Sequence, residues 1–158
     1  MTAPVPKPVP KPVPKPVPVV ILIVEDSDED FDTVTDAIRQ AGLAAEVRRA
    51  TTGGDGVTLL REHCFSRPVL VLMDLNTPGT DGREALMEIK GDPELKAVPV
   101  VVMSTSDNPR DLEFCYRAGA NAYHVKPVRY PDHQKVVIDL LTYWLTRVIL
   151  SDGGRTTP

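Results

Sequence analysis

Cysteine, extended apolar runs and surplus positive charge are all scarce in this chain. Among its 158 residues only Cys64 and Cys115 are cysteines, and neither sits in a CxxC or other metal-ligand spacing. A disulfide-stapled scaffold is therefore excluded, and both thiols are expected to be reduced and mostly buried, as in a cytoplasmic protein. The longest apolar stretch, Val17 to Val24, contains Pro18. It is far short of the roughly 20 residues that span a membrane. No apolar h-region follows a basic start, so a secretory signal is not expected. The formal net charge is −4. The first eighteen residues carry Lys7, Lys11 and Lys15 and no acid, so the body of the chain is more acidic still. An acidic body argues against nucleic acid as a partner. The Gly53-Gly54-Asp55-Gly56 run lacks the Lys-Ser/Thr of a P-loop and reads as a helix-opening turn.

What is present falls into three segments. Residues 1–18 place proline at every even position from Pro4 to Pro18, in a repeating Pro-Val-Pro-Lys unit. Such a segment is expected to be a disordered, polyproline-like arm. With prolines only at even positions no PxxP exists, which opposes an SH3-type ligand. Residues 19–150 have the length and composition of one domain, 42% apolar and 25% charged over the whole chain. Residues 151–158 read as a flexible tail.

Within the domain, apolar runs alternate with helical patterns. Val19 to Val24, Ala45 to Ala50, Val69 to Met73, Val100 to Met103 and Ala122 to Val125 read as strands. Between them, Phe31, Val34 and Ile38 mark a first helix that Gly42 ends. Val57, Leu60 and Cys64 mark a second, closed by Pro68. Leu86 and Ile89 mark a third that stops before Pro93, and Leu112 and Cys115 a fourth stopped by Gly119. Ser27 and Asp30 have capping-pair spacing at the first helix. A long last helix is expected from about Pro131 to Leu150. Five strands alternating with five helices imply a doubly wound, five-stranded parallel sheet covered on both faces.

In such a sheet all carboxyl ends lie on one edge, where ligands bind. That edge should gather Glu25, Asp26, Asp74, Asn76, Ser104 and Lys126. Three carboxylates left together would repel, and a hard divalent cation with oxygen ligands, Mg2+, resolves this. Beside it, Asp74 can attack a phosphorus and become an acyl phosphate. Lys126 offers a compact charge to a phosphoryl oxygen, and Ser104 a hydrogen bond. The plain alternative for Glu25-Asp26, and for Asp28-Glu29-Asp30, is a solvated acidic loop. His63, His124 and His133 are scattered and read as non-catalytic.

These motifs resemble the CheY-like receiver domain of two-component response regulators, from Val20 to about Trp144. The match runs through Val24-Glu25-Asp26, Met73-Asp74-Leu75-Asn76 with Pro78 and Asp81-Gly82, Ser104, Tyr123 and Lys126-Pro127. The resemblance implies the flavodoxin-like (βα)5 fold and Asp74 as phosphoacceptor. It implies Mg2+ held by Glu25, Asp26, Asp74 and the backbone carbonyl of Asn76. Ser104 and Tyr123 become a switch pair, Lys126 the phosphate contact, and Lys126-Pro127 a cis peptide. Asn76 and Ser106 would flank the path of hydrolytic water and tune dephosphorylation. Thr105, where a small alanine is usual, and Ser104, where threonine is commoner, depart from the family pattern.

Softer motifs resemble single-domain regulators that pair with bacterial phytochromes: Val-Glu-Asp-Ser-Asp-Glu-Asp, Leu-Asn-Thr-Pro-Gly-Thr-Asp-Gly-Arg-Glu, Met-Ser-Thr-Ser, and a last helix reaching Tyr143-Trp144. The implied partner is a sensor histidine kinase, a bacterial phytochrome. Only about thirty residues follow Lys126, so DNA binding is not expected and output passes through protein contact or phosphoryl relay. Apolar residues on two flanks of the last helix suggest a homodimer through Val136, Leu140, Tyr143, Trp144 and Val148. The chain is expected not to be a turnover enzyme. The competing readings are a receiver acting as a phosphorylation-independent interaction module and an aspartyl-phosphate phosphatase. The second lacks the acid two residues past Asp74, where Asn76 stands.

Overall fold

Five parallel strands form one sheet in the order β2-β1-β3-β4-β5 in the computed structural model, which describes residues 18–63, 68–77 and 81–151. The strands are β1 (Val19–Val24), β2 (Ala45–Ala50), β3 (Val69–Met73), β4 (Val100–Ser104) and β5 (Ala122–Val125). The helices are α1 (Asp28–Gln40), α2 (Gly53–His63), α3 (Gly82–Gly91), α4 (Pro109–Ala118) and α5 (Tyr130–Thr146). The proline-rich arm up to residue 17, Cys64, Pro78 and the tail from residue 152 lie outside the described residues, as does the side chain of His63. No helix among the described residues is long and apolar enough to cross a membrane.

The sheet separates two cores because successive strand side chains point to opposite faces. Val20, Leu22, Val24, Val71, Met73 and Val102 meet Leu60 of α2, Leu86 and Ile89 of α3 and Cys115 of α4. Ile21, Ile23, Leu70, Leu72, Val101 and Met103 meet Val34 and Ile38 of α1 and Val137 and Leu141 of α5. Every residue of β3 and β4 is buried, which is why those runs are continuously apolar rather than alternating. The central strands are thereby rigid supports for whatever follows their carboxyl ends.

Helix boundaries follow local chemistry. Ser27 caps α1, its Oγ accepting from the Asp30 amide at 3.2 Å. Asp81 caps α3 by accepting from the Arg83 amide, and Asn108 caps α4 by accepting from the Arg110 amide. Gly119 ends α4 at φ 106°, a left-handed conformation that other residues rarely adopt. The glycine-rich run opens α2 as expected.

Four expectations need correction. The last helix ends at Thr146, with Arg147 as its cap and the Val148 amide turning back to the Tyr143 carbonyl. The β-branched Thr146, Val148 and Ile149 favour helix weakly, and Ile149 is fully exposed. Leu140 is 5% exposed and belongs to the α1–α5 core, so it cannot serve a dimer flank. Leu112, expected on the inner stripe of α4, is 40% exposed. The Lys126–Pro127 bond is trans, the isomer that X-Pro bonds favour by about 0.5–1 kcal/mol.

Candidate functional site

The carboxyl ends of β1, β3, β4 and β5 bring Glu25, Asp74, Ser104 and Lys126 to one edge. Lys126 follows the short β5 and is 8% exposed. Its Nζ donates to Glu25 Oε2 at 2.7 Å, to Asp30 Oδ2 at 2.7 Å and to Asp74 Oδ2 at 3.0 Å. An ammonium has three protons, and all three have a carboxylate partner. Glu25 is buried, and its other oxygen accepts from the Ser27 amide at 3.0 Å. Asp74 Oδ1 accepts from the Asn76 amide at 2.9 Å. The Asp74 carboxylate is therefore held at both oxygens.

Asp30 was missed as a site residue. The Ser27-x-x-Asp30 spacing suggested that its side chain reaches back to the Ser27 amide, as in a capping box. Glu25 takes that amide instead, which frees the Asp30 carboxylate for Lys126. One oxygen from each of Glu25, Asp30 and Asp74 lies within 4.8 Å of the others. Asp26, by contrast, is exposed and its carboxylate is outside that group. Its backbone is fixed by Arg49 of β2, which donates from Nη2 to the Asp26 carbonyl and from Nε to the Glu25 carbonyl, at 3.2 and 3.1 Å. Arg49 also stacks over the Phe31 ring at 4.5 Å and pairs with Asp28 at 2.7 Å. Nothing in the sequence signalled this role, because Ala45 to Ala50 reads only as a short, less apolar strand.

Burial is the largest effect on Glu25 and pushes its carboxyl up to about 7, against the hydrogen bond and charge of Lys126 and with help from the Asp74 charge. Burial also opposes the Lys126 ammonium, but its hydrogen bonds to Asp30 and Glu25 and the charges of Asp74 and Glu25 outweigh that and raise its pKa. The clustered, oxygen-only donors fit a hard divalent cation.

A second network flanks the first. Ser104 is fully buried, and its Oγ accepts from the Ser106 amide at 3.1 Å. Ser106 Oγ donates to Asp111 Oδ2 at 2.6 Å, and Arg83 Nη2 donates to Asp111 Oδ1 at 2.7 Å. Arg83 also pairs with Asp81, so the β3–α3 and β4–α4 connections are tied together. The Tyr123 hydroxyl donates to the Ser106 carbonyl at 2.8 Å. Ser104, Ser106 and Tyr123 thus form one hydrogen-bonded chain, while Thr105 is exposed. Gly82 opens α3 directly against the Asp74-Leu75 backbone. A Cβ there would lie 2.5 Å from the Asp74 carbonyl oxygen and 2.7 Å from Leu75 Cα. Asp81-Gly82 is explained by that approach together with the cap.

Of the histidines, His124 is half-buried with its pKa lowered by burial, and His133 is buried beside the site. Cys115 is buried, which raises its pKa and fits an inert thiol. Of the expected dimer residues, Tyr143 is 59% exposed, and Val136, Trp144 and Val148 are half-buried.

Comparison with known proteins matches residues 21–138 to the model of the response regulator receiver domain. The chain is 45% identical over 84 residues to the response regulator Rcp1 of Synechocystis sp., covering 53% of this chain and 57% of that protein. It therefore spans little more than half the length of that curated relative in this match. It also resembles the crystal structure of the Mn2+-bound form of Rcp1, with TM-score 0.78 and 36% identity over 85% of this chain and 99% of the other. Likeness to the phosphorylated cyanobacterial phytochrome response regulator RcpA is similar: TM-score 0.79, 36% identity, 85% and 99% coverage. By its fold, its carboxylate–lysine edge and these matches, the chain belongs to the response regulator receiver domain family.

Proposed function

We propose that this receiver accepts a phosphoryl group on Asp74 from a sensor histidine kinase, a bacterial phytochrome, in the cytoplasm. The observation that carries the reading is Lys126 Nζ held 3.0 Å from Asp74 Oδ2 and anchored by Glu25 and Asp30. An Asp74 oxygen forms the new bond to phosphorus as the P–N bond of a phosphohistidine breaks. The bonding pair returns to the imidazole, which takes up a proton. Lys126 turns its charge to one phosphoryl oxygen, and the Ser104 hydroxyl donates to another. Mg2+, held by Glu25, Asp26, Asp74 and the Asn76 carbonyl, would offset charge on the entering group. Arg49 positions the Glu25-Asp26 backbone for this.

The Ser104–Ser106–Tyr123 chain carries the change to the face of α4, β5 and α5. The phosphate is consumed in relay or hydrolysis, so the chain is a signalling acceptor rather than a turnover enzyme. The phytochrome partnership is supported by the likeness to RcpA. A homodimer is supported by the exposed Tyr143 on α5, whereas Val136 and Trp144 pack partly against the α1–α5 core. Incubation with acetyl phosphate and Mg2+ tests the acceptor: wild type gains one phosphate by intact mass, and Asp74→Asn gains none. Labelling of Asp74→Asn at the wild-type level would refute the assignment.

A further inference from the structure

His133 lies on the inner face of α5, one helix away from Asp30 on α1, and the two helices pack over the same face of the sheet. It is 6% exposed, and its Nε2 has no hydrogen-bond partner among the described residues. A cavity of about 20 Å³ is lined by His133, Asp30 and Lys126, with Glu25 and Asp74 also on its wall and Met103 behind. That volume admits about one water-sized group, so a small tilt of either side chain can close the gap. Burial, the largest effect, lowers the His133 pKa, with Asp30 opposing and Lys126 assisting, which favours the neutral ring. A neutral imidazole donates through one nitrogen only. An imidazole in a core otherwise built of Val34, Val137 and Leu141 has no packing role that an apolar residue would not fill better.

Lys126 has no proton to spare. Contact with a phosphoryl oxygen on Asp74 requires that one existing bond be given up. Glu25 is the deepest of its partners, and Asp74 is the acceptor itself. Asp30 is the most exposed, at 31% of its side chain against 6% and 12% for the others. It is the bond released at least cost, and its carboxylate then needs a new donor.

We propose that His133 is that donor: its Nε2–H takes over the Asp30 carboxylate when Lys126 turns to a phosphoryl group on Asp74. The inference rests on the phosphoacceptor reading above. His133 is thus a positioning residue that acts through Asp30 and makes α5 respond to the state of Asp74. The exchange is a local change of partners biasing the α1–α5 contact.

The test uses the full chain, 15N-labelled at histidine, with beryllofluoride and Mg2+ as the phosphoryl probe. On probe binding, the His133 Nε2 resonance should move to that of a protonated, hydrogen-bonded nitrogen. With the probe raised until it saturates Asp30→Asn, as judged by the Ser104 and Ser106 amides, that change should be lost. His133→Leu should fold and bind the probe about two- to tenfold more weakly, the value of one hydrogen bond. His133→Gln, which retains a donor, should recover most of the loss. Ser104 and Ser106 amides that respond while His133 stays silent, or undiminished affinity in His133→Leu, would overturn the proposal. Amides that do not respond at all would instead remove the phosphoacceptor reading and this inference with it.

Discussion

Lys126 Nζ lies 2.7 Å from Glu25 Oε2, with the two side chains 7% and 6% exposed and 101 residues apart in sequence. The pair ties the end of β5 to the end of β1 across β3 and β4, beside Asp74. Truncating one partner of a buried pair leaves the other charge unsatisfied, at about 3–5 kcal/mol. Lys126 is thus a structural anchor as well as the expected phosphate contact.

Glu25 makes cation binding pH-dependent near neutrality. Its folded pKa is raised to about 7 from 4.5, so below pH 7 a divalent cation must displace a proton. Mg2+ affinity should fall with decreasing pH below 7, approaching about tenfold per unit, and Glu25→Gln should weaken binding and flatten the profile. Metal-free stability has the opposite sense. Between pH 4.5 and 7 the folded state holds a proton that the unfolded state has lost, so stability falls as pH rises through that window. Calorimetric Mg2+ titration and urea unfolding at pH 5 to 8 measure both.

Gly82 should tolerate no side chain. The Cβ of Gly82→Ala would meet backbone atoms of Asp74 and Leu75 at 2.5 and 2.7 Å, and backbone does not yield as a flexible side chain does. We expect a loss of about 1–3 kcal/mol and slower labelling of Asp74 by acetyl phosphate. Unaltered melting and labelling would contradict the close approach.

Asp111 should set the behaviour of the switch chain. Its carboxylate joins Ser106 Oγ to Arg83. Asp111→Ala should leave Asp74 reactive but loosen Ser106, with faster amide exchange at Ser106 and Asn108 and an altered acyl-phosphate decay rate. Arg83→Ala should act in the same direction, and the double variant should add little to either.

Two residues three apart on α5 should respond oppositely to charge. Leu140 is buried and Tyr143 is 59% exposed. Leu140→Asp should unfold the protein, since an unpaired buried carboxylate is not tolerated. On the proposed homodimer, Tyr143→Asp should retain the wild-type circular dichroism while shifting light scattering to the 17.3 kDa monomer.

Periodicity and strand-end chemistry made much of this molecule legible. The strands β1, β2, β3 and β5 have the expected bounds because their apolar or alternating runs end at polar turn residues. Glu25, Asp74, Ser104 and Lys126 could be grouped in advance because a parallel sheet sends every strand end to one edge. What sequence could not decide was which side chains meet there. Asp30 looked like a cap partner until Glu25 took the Ser27 amide. Arg49 carried no signal at all, and His133 looked like a stray imidazole. Leu140 and Val148 looked like flank residues until the angle of α5 and its end at Thr146 were known. Periodicity specifies the face of an element to within a residue or two, and hydrogen-bond partners depend on ångström-scale approach between distant segments. Only the packing of α1 and α5 over the sheet determined which carboxylates Lys126 would hold and which nitrogen would be left beside them.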